Sequence, residues 1–599
     1  MNGAGGNSTR LMFDDDDDIN NGTVLCSIMF STTSLVLILA LFKVIYERWV
    51  TPLSKVPGDF IHSVTSVPMR YHMLRGTLPE FLVGLHRRHG ILVRISPQRV
   101  SIADPDLVRQ VLGSNQFLKT PSYDMPSTLE PNAFSTRSPE LSVERRKQVG
   151  PGFSHRHLSM MEPKVIECGV TNLRRKLDSM LLDQQQQQPA TTAAPPSCCP
   201  SSSSSVTLQY YSAFSLITLD TIGILGFGQR FGALANGSHE LVRILIRIRI
   251  FNYITMVLPW FKKLPAILGK RLQTLARLVV FGQQAIAGRR REIEKQHRGY
   301  SDQTATAGVP VDLLQMMLDT GRSEGDKRAP MTDPQIVSES ILHLIAGVDT
   351  TSSGLTWTLA LLLHNPHIMK RLTDDIRREF PPSPSSTTTT TSAPDAEGNE
   401  EETSQCDVIT FEDCKQRLPY LGAVIAESLR VLSPAPGMLP RLAPAAGLRL
   451  AGYHLPAGTW LCCALGATHM NPAVYPSPQL FDPDRFMATA DQESERARQN
   501  LLAFSNGVRA CLGRNLALVE MHLVLANLLR DYDLRLPDDC SPASALAAAG
   551  ADDCEKGGSR AATARLTGVI PDIPHSTLMT LNPTNPDRDC RVVVSRAVV

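Results

Sequence analysis

The cysteine at position 511 has neighbours that could make it a metal ligand. It lies in the segment FSNGVRACLG, residues 504–513, with glycines on both sides and an arginine two positions before it. The apolar residues of the next segment, RNLALVEMHLVLANLL, keep helical spacing, so Cys511 is expected where a loop enters a helix. A helix N-terminus, free backbone N–H groups and a nearby guanidinium favour the thiolate, which binds soft metals. The alternative for Cys511 taken alone is a buried structural cysteine.

A long apolar segment upstream carries an acid beside a hydroxyl. Thr332 can cap a helix that opens with Asp333 and Pro334, and the run that follows predicts a helix of about 30 residues ending before Pro366. Its middle reads AGVDTT, residues 346–351. Glycine costs up to about 1 kcal/mol in a helix interior, and threonine can bond back to a carbonyl and bend the helix. The segment is either a helix that tolerates poor residues or a site where an acid and a hydroxyl handle protons.

A charged pair between these two segments has helical spacing. Glu427 and Arg430 lie at i, i+3 on one helical face, and Arg485 follows within the motif FDPDRF. Taken alone, the Glu427–Arg430 pair predicts only a surface ion pair.

The loop around Cys511 carries a family resemblance. Phe504, Gly507, Arg509, Cys511 and Gly513 form the pattern Phe-x-x-Gly-x-Arg-x-Cys-x-Gly, which resembles the haem-binding loop of the cytochrome P450 family. The resemblance implies a mainly helical fold with minor β-sheets and haem b as cofactor. Cys511 would be its thiolate ligand, pushing electron density that favours O–O cleavage. Phe504 would lie against the porphyrin, Arg509 would pair with a propionate, and the glycines would let the loop approach the ring.

The resemblance also gives the acid and the hydroxyl a role. Ala346 and Gly347 would belong to a widened helical turn that holds dioxygen and water over the iron. Thr350 would orient protons there, and Asp349 would deliver them. The order of the motifs along the chain agrees with the family, in which Glu427, Arg430 and Arg485 would lock the core behind the haem.

Two further arginines are expected to bind the haem propionates. Arg441, in GMLPRLAP, matches a position that many fungal members use for this purpose. Arg146 matches an arginine of an early helix, although the family's Trp or His four residues before it is replaced here by Ser142. The alternative is a slip of one residue, which would give the role to Arg145.

The amino terminus predicts a membrane anchor. No charged residue occurs from Ile19 to Phe42, a length sufficient to span a bilayer. A cleaved signal peptide and a buried core helix are the alternatives, but the segment before the apolar run is acidic, which signal peptides are not. Only Arg10 precedes the run, whereas Lys43 and Arg48 follow it, so the positive-inside rule keeps the remaining chain in the cytosol. We expect a single-pass protein of the endoplasmic reticulum membrane.

The domain organisation follows from these boundaries and from low-complexity segments. The predicted parts are a short acidic lumenal tail (1–18), the transmembrane anchor (19–45), a basic and proline-containing hinge (46–60) and a cytosolic haem domain (61–599). Low-complexity segments near 184–205, 381–405 and 541–564 are expected to be surface insertions, the alternative being linkers between separate domains. Strands are predicted near 91–104 and 448–465, the second with a turn at 456–458.

Composition excludes several other classes. The net charge of +2 argues against a general nucleic-acid binder. The 12 cysteines include no CxxC pair, which argues against a zinc site or a disulfide scaffold. No glycine-rich nucleotide motif opens a strand–helix unit, so electrons must come from a partner. By resemblance this partner is NADPH–cytochrome P450 reductase, for which Arg145, Arg146, Lys147 and Arg514 could form a basic docking patch.

The sequence therefore predicts a haem-thiolate monooxygenase that inserts one oxygen atom from O2 into a lipophilic small molecule. A lipophilic substrate is suggested because the regions expected to line the pocket are apolar. Two alternatives remain at this point. One is a haem-thiolate isomerase, dehydratase or peroxygenase that needs no reductase, and the other is a haem-binding membrane protein without turnover.

Overall fold

A computed structural model describes residues 15–124, 129–187, 204–258, 265–299, 312–322, 325–382, 408–487, 492–540 and 568–597. The described part is mainly helical with four small sheets, as the sequence predicts. Its helices are α1 Asp15–Ile45, α2 Phe60–Val64, α3 Val67–Arg75, α4 Leu78–His89, α5 Pro105–Gly113, α6 Pro139–Val149, α7 His155–Val165, α8 Asn172–Gln187, α9 Tyr210–Phe227, α10 Ala233–Asn236, α11 Glu240–Val257, α12 Pro265–Gly299, α13 Leu313–Asp319, α14 Asp333–His364, α15 Pro366–Glu379, α16 Phe411–Arg417, α17 Pro419–Val431, α18 Leu465–His469, α19 Gln492–Asn500, α20 Arg514–Asp531 and α21 Pro586–Asp589. The strands are β1 Leu92–Ser96, β2 Arg99–Ile102, β3 Ser205–Gln209, β4 Met438–Leu442, β5 Leu448–Leu450, β6 Tyr453–Leu455, β7 Trp460–Ala464, β8 Tyr532–Arg535, β9 His575–Leu578, β10 Thr580–Pro583 and β11 Arg591–Arg596.

Helix α14 is the central element of the fold. It begins after Thr332, whose N–H donates to the side chain of Gln335 at 3.0 Å, and it ends before Pro366. It packs against α9, α12, α17 and α20, and most of its side chains are buried, which explains why the sequence is apolar on nearly all sides. Trp357 is fully buried, and its indole N–H donates to the carbonyl of Leu581 at 3.0 Å. The expected long interior helix is therefore present.

The largest sheet has the strand order β1-β2-β7-β4. Strands β1 and β2 lie where strands are predicted near residues 91–104, and they pair antiparallel with each other. Strand β7 pairs in parallel with β2 and antiparallel with β4. The prediction for residues 448–465 is right only in part. The turn at Pro456–Gly458 exists, but it connects two sheets, because β6 pairs back with β5 through a separate turn at Ala451 and Gly452. Strands β6 and β7 are close in sequence but belong to different sheets, and β4 lies at the edge of the larger sheet, next to β7.

Within the described residues, two helices are long and apolar enough to cross a membrane. One is Ile28–Val50, which comprises the second half of α1 and the helical segment Tyr46–Val50, and its apolar window is not buried against the rest of the chain. The other is Tyr210–Phe227, which is 89% buried and is therefore a core helix. The low-complexity segments lie largely outside the described residues, as does most of the acidic amino-terminal tail.

Candidate functional site

The loop before α20 presents Cys511 in a closed turn. The N–H of Cys511 donates to the carbonyl of Phe504 at 2.9 Å, and that of Ala510 donates to Gly507 at 3.0 Å. Gly507 has a φ of +71°, and a Cβ atom there would lie 2.4 Å from Gly113 at the end of α5. Glycine is required at this position because any side chain would strain the turn and collide with the backbone of α5. Cys511 is a free and exposed cysteine, whereas Cys168, Cys414, Cys462, Cys463 and Cys590 are free and buried.

The protonation of Cys511 differs from the sequence-based expectation. Although the residue as a whole is exposed, desolvation by the surrounding protein atoms raises the pKa of the Cys511 thiol, and the N–H groups of Gly513 and Arg514 and the charge of Arg146 act in the opposite direction. Arg509, the cation expected to act on the sulfur, instead donates to the carbonyls of Thr136 and Ser138. A thiol of this kind becomes a thiolate when a metal ion binds it, since coordination deprotonates the sulfur.

Four cations gather beside this loop without a carboxylate partner among the described residues. They are Lys119, Arg146, Arg441 and Arg509. Burial together with the charges of the three arginines lowers the pKa of Lys119 to about 6. Burial and the charges of Arg441 and Arg146 lower the pKa of Arg509 to about 10. Such a cluster is unfavourable by itself and is suited to a ligand that carries two carboxylates, as haem does.

The cluster is built from distant parts of the chain. Arg441 lies on β4, where its guanidinium donates to the hydroxyl of Tyr123 at 3.4 Å, and Lys119 pairs with Arg441 through an isolated β-bridge. The ammonium of Lys119 lies over the rings of Tyr123 and Phe134, 4.5 and 4.8 Å from their centroids, and donates to the carbonyl of Phe134. Sequence reasoning missed Lys119, because a single lysine in QFLKTPSYD has no distinguishing pattern.

Helix α6 directs Arg145 and Arg146 to different neighbours. Arg146 donates to the carbonyl of Ala510 at 2.8 Å and so faces the cysteine loop. Its neighbour Arg145 points towards α14, where its Nε lies 3.9 Å from the carboxylate of Glu339. Because Arg145 is buried, the expectation that it belongs to a basic docking patch is wrong. Lys147 and Arg514 are exposed.

The expected widened turn is an unbroken stretch of α14. Thr350 donates its hydroxyl hydrogen to the carbonyl of Ala346 at 2.7 Å, which is the back-bond anticipated for threonine. Ala346 is exposed although it lies in the middle of a core helix, whereas Gly347 faces α9, where a Cβ atom would lie 3.1 Å from Ile222. Gly347 thus permits close packing of two helices, and Ala346 and Thr350 supply the open face.

Asp349 is held by groups that the sequence does not reveal. Arg249 on α11 donates to its carboxylate at 2.9 Å, and the hydroxyl of Thr580 on β10 lies 3.3 Å from the same oxygen. The pair is mostly buried, with 10% and 17% of the two side chains exposed. Asp349 is therefore a fixed carboxylate adjacent in sequence to the hydroxyl of Thr350.

Glu427 and Arg430 form a fully buried network on α17. The guanidinium of Arg430 binds both carboxylate oxygens at 2.6 and 2.7 Å, and Arg485 approaches Glu427 at 3.4 Å. Arg430 also donates to the carbonyls of His469, Pro478 and Leu480. The arrangement excludes the surface ion pair that the spacing alone would predict, and it ties α17 to the segment before Arg485.

Comparisons with known proteins identify the family of the chain. The family model described as Cytochrome P450 matches residues 64–547. The cytochrome P450 monooxygenases helB1 and helB3 of Aspergillus fumigatus are each 28% identical to the chain; the matches cover 93% and 95% of this chain and 84% and 98% of the two relatives. The cytochrome P450 monooxygenase atr2 of Stereocaulon alpinum is 26% identical over 87% of this chain and 91% of the relative. The chain belongs to the cytochrome P450 family and is an oxidoreductase of the monooxygenase type, with a cysteine-ligated haem, O2, a substrate and a redox partner.

Proposed function

We propose that the chain is a membrane-anchored monooxygenase that oxidises a lipophilic small molecule with electrons from NADPH–cytochrome P450 reductase. The observation that carries the proposal is Cys511 beside four cations, of which Lys119 and Arg441 are buried, that have no carboxylate partner in the described part of the chain. When bound, the haem, haem b in this proposal, supplies the activation of dioxygen. The reaction is RH + O2 + 2e⁻ + 2H⁺ giving ROH + H2O.

Each part of the site has an assigned task. Cys511 is the iron ligand, and Phe504, Gly507 and Gly513 shape the loop against the ring. Lys119, Arg146, Arg441 and Arg509 hold the two propionates. Thr350 and Asp349 position and deliver protons beside Ala346, while Glu427, Arg430 and Arg485 keep the supporting core rigid.

The propionate assignment predicts a defect in haem retention. In Arg441→Ala, a buried charge-assisted contact is lost, and such contacts contribute about 1.5–3 kcal/mol each. We expect haem to dissociate roughly 10- to 100-fold faster from the variant, measured by transfer of haem to apomyoglobin. Arg449→Ala, at a residue exposed on the separate β5–β6 hairpin, is the control and should retain haem normally. Equal rates for the two variants would contradict the assignment.

We include in this proposal the lumenal tail (1–18), the transmembrane anchor (19–45), the hinge (46–60) and the haem domain (61–599). The anchor would lie in the endoplasmic reticulum membrane, with the haem domain in the cytosol. This arrangement is supported by exposed apolar side chains that continue from α1 into α2 and α3. These are Trp49, Val50, Phe60, Ile61, Val67, Tyr71 and Leu74. Exposed apolar side chains in segments that directly follow the apolar helix suit a bilayer boundary. The lipophilic substrate is supported by Leu118 and Phe134, which are exposed beside the cation cluster.

The test of the proposal is reconstitution of the full-length protein in vesicles with the reductase, NADPH and a panel of terpenoid, polyketide, alkaloid and aromatic compounds. We expect NADPH-dependent incorporation of ¹⁸O from ¹⁸O2 into at least one product. Product formation without reductase would favour an isomerase or dehydratase, and formation only with hydrogen peroxide would favour a peroxygenase. Haem binding without turnover across the panel would favour a non-catalytic protein.

A further inference from the structure

One narrow strip of α14 carries titratable groups that the roles proposed above do not use. Successive residues of a helix turn by about 100°, so Glu339, His343, Ala346 and Thr350 lie within about 60° of one another around the axis. Glu339 and His343 are one turn apart, and His343 and Thr350 are two turns apart. The strip therefore runs from the buried amino-terminal half of α14 to the hydroxyl at the reaction site.

The polar atoms at the start of the strip are buried and unpaired. Glu339 is fully buried and His343 is 7% exposed. One carboxylate oxygen of Glu339, both ring nitrogens of His343 and the hydroxyl of Ser340 have no hydrogen-bond partner in the part of the chain that the structure describes. Helical side chains lean towards the preceding turn, so the side chain of His343 is directed towards the turn that carries Glu339 and Ser340. These atoms can hold ordered water between them, because a buried water needs two to four polar partners.

Helix α6 carries two more buried polar atoms without a hydrogen-bond partner among the described residues, and one of them lies beside Glu339. These atoms are the hydroxyl of Ser142 and the Nε of Arg145, and the latter lies 3.9 Å from Glu339. The second oxygen of Glu339 accepts the N–H of Ala133 at 2.8 Å. Polar groups from α6 and α14 thus meet at one buried point.

The charged groups near Glu339 are few. Arg145 faces it from α6, with Glu144 3.8 Å beyond that guanidinium, and the Arg290–Asp333 pair stands at the start of α14. His343 packs against the edge of Phe153. Burial raises the pKa of Glu339 to about 7, although the Ala133 N–H and Arg145 act in the opposite direction, and burial lowers the pKa of His343 to about 4. Near neutral pH the carboxyl can hold or release a proton, and the neutral imidazole has one donor and one acceptor.

We propose that Glu339 and His343 form a buried proton relay that supplies the hydroxyl of Thr350, separate from the branch through Asp349. Glu339 releases a proton to ordered water, His343 accepts it on one ring nitrogen and releases the proton of the other, and water beside Ala346 passes it to Thr350. Solvent reprotonates the carboxylate, so no electrons move and the protons balance. The small side chain of Ala346 leaves room for that water.

The relay rests on the proposed monooxygenase function, and its test uses two independent readouts on the haem-loaded, full-length protein. The first needs no turnover and follows the infrared C=O band of the protonated carboxyl across pH. In the wild type this band should lose half its intensity near pH 7, and it should be absent in Glu339→Gln. In His343→Phe its midpoint should move upwards, because the carboxylate loses hydrogen-bonded water.

The second readout is coupling, the product formed per NADPH consumed. Glu339 is protonated below its pKa of about 7, so wild-type coupling should fall as the pH rises through 7. Glu339→Gln should remove this transition and lower coupling at pH 6 by roughly 3- to 10-fold, less than the 10²-fold of a sole proton donor because the Asp349 branch remains. In the double variant that combines Glu339→Gln with Asp349→Asn, we expect the fold-decreases in coupling of the two single variants to multiply.

Two variants separate a relay from a packing role. His343→Gln keeps hydrogen bonding but cannot exchange protons between two nitrogens, so it should restore the infrared midpoint and leave coupling low. His522→Phe removes another buried imidazole, on α20, and should change neither readout. If His343→Phe had the same coupling and the same infrared midpoint as the wild type, the relay would be overturned and the monooxygenase proposal would stand. If the wild type formed no product, the monooxygenase proposal would be contradicted. The infrared readout would still test whether Glu339 and His343 interact.

Discussion

Replacement of Cys511 by serine is expected to abolish the strongly red-shifted Soret band of the reduced, carbon-monoxide-bound protein. A serine hydroxyl is a weaker and harder ligand than a thiolate, so it cannot hold the iron or donate electron density in the same way. NADPH-dependent product formation should fall by at least about 10³-fold, since the loss affects the reacting centre itself.

The fold should survive this change. The backbone bond from Cys511 to Phe504 does not involve the side chain, and the residue is exposed, so little packing is lost. The matched control is Cys168→Ala, which alters a buried cysteine away from the loop and should keep the red-shifted band. If Cys511→Ser kept that band, or if Cys168→Ala lost it, Cys511 would not be the ligand.

The second large effect is expected from Glu427→Gln. The substitution leaves the guanidinium of Arg430 buried without a counter-charge, and breaking a buried pair in this way costs about 3–5 kcal/mol. Since Arg430 also binds three carbonyls between His469 and Leu480, the loss should loosen that segment. Urea unfolding of the haem-loaded protein should show a lower midpoint.

The control for this prediction is the surface pair of Glu379 and Arg417. These side chains lie 3.2 Å apart, but both are about one-third or more exposed. Exposed pairs contribute only about 0–1 kcal/mol, so Glu379→Gln should leave the unfolding midpoint almost unchanged. A similar small shift for both variants would mean that the Glu427 network does not stabilise the core.

Local motifs were readable from the sequence because their members lie close together in the chain. Gly507 and Cys511 belong to one loop, and Glu427 and Arg430 to one turn of a helix. The length of α14 followed from its cap and from the proline after it. Predictions that depended on surroundings did less well: Arg145 is buried rather than exposed, and Gly347 serves helix packing.

Other features arise only from contacts between distant segments. Lys119 joins Arg441 across more than 300 positions, and Arg249 reaches Asp349 from another helix. Glu339 looks like an ordinary helical glutamate until α6 and the segment at Ala133 bury it.

The sequence by itself determined the family, the identity of the candidate iron ligand and the position of the central helix, since covalent neighbours and helical spacing set these. The tertiary structure decided which charges meet, which are left without partners and which carboxyl groups titrate near neutral pH. The physical reason is that burial and charge pairing depend on distances in space, and the chain order does not contain those distances.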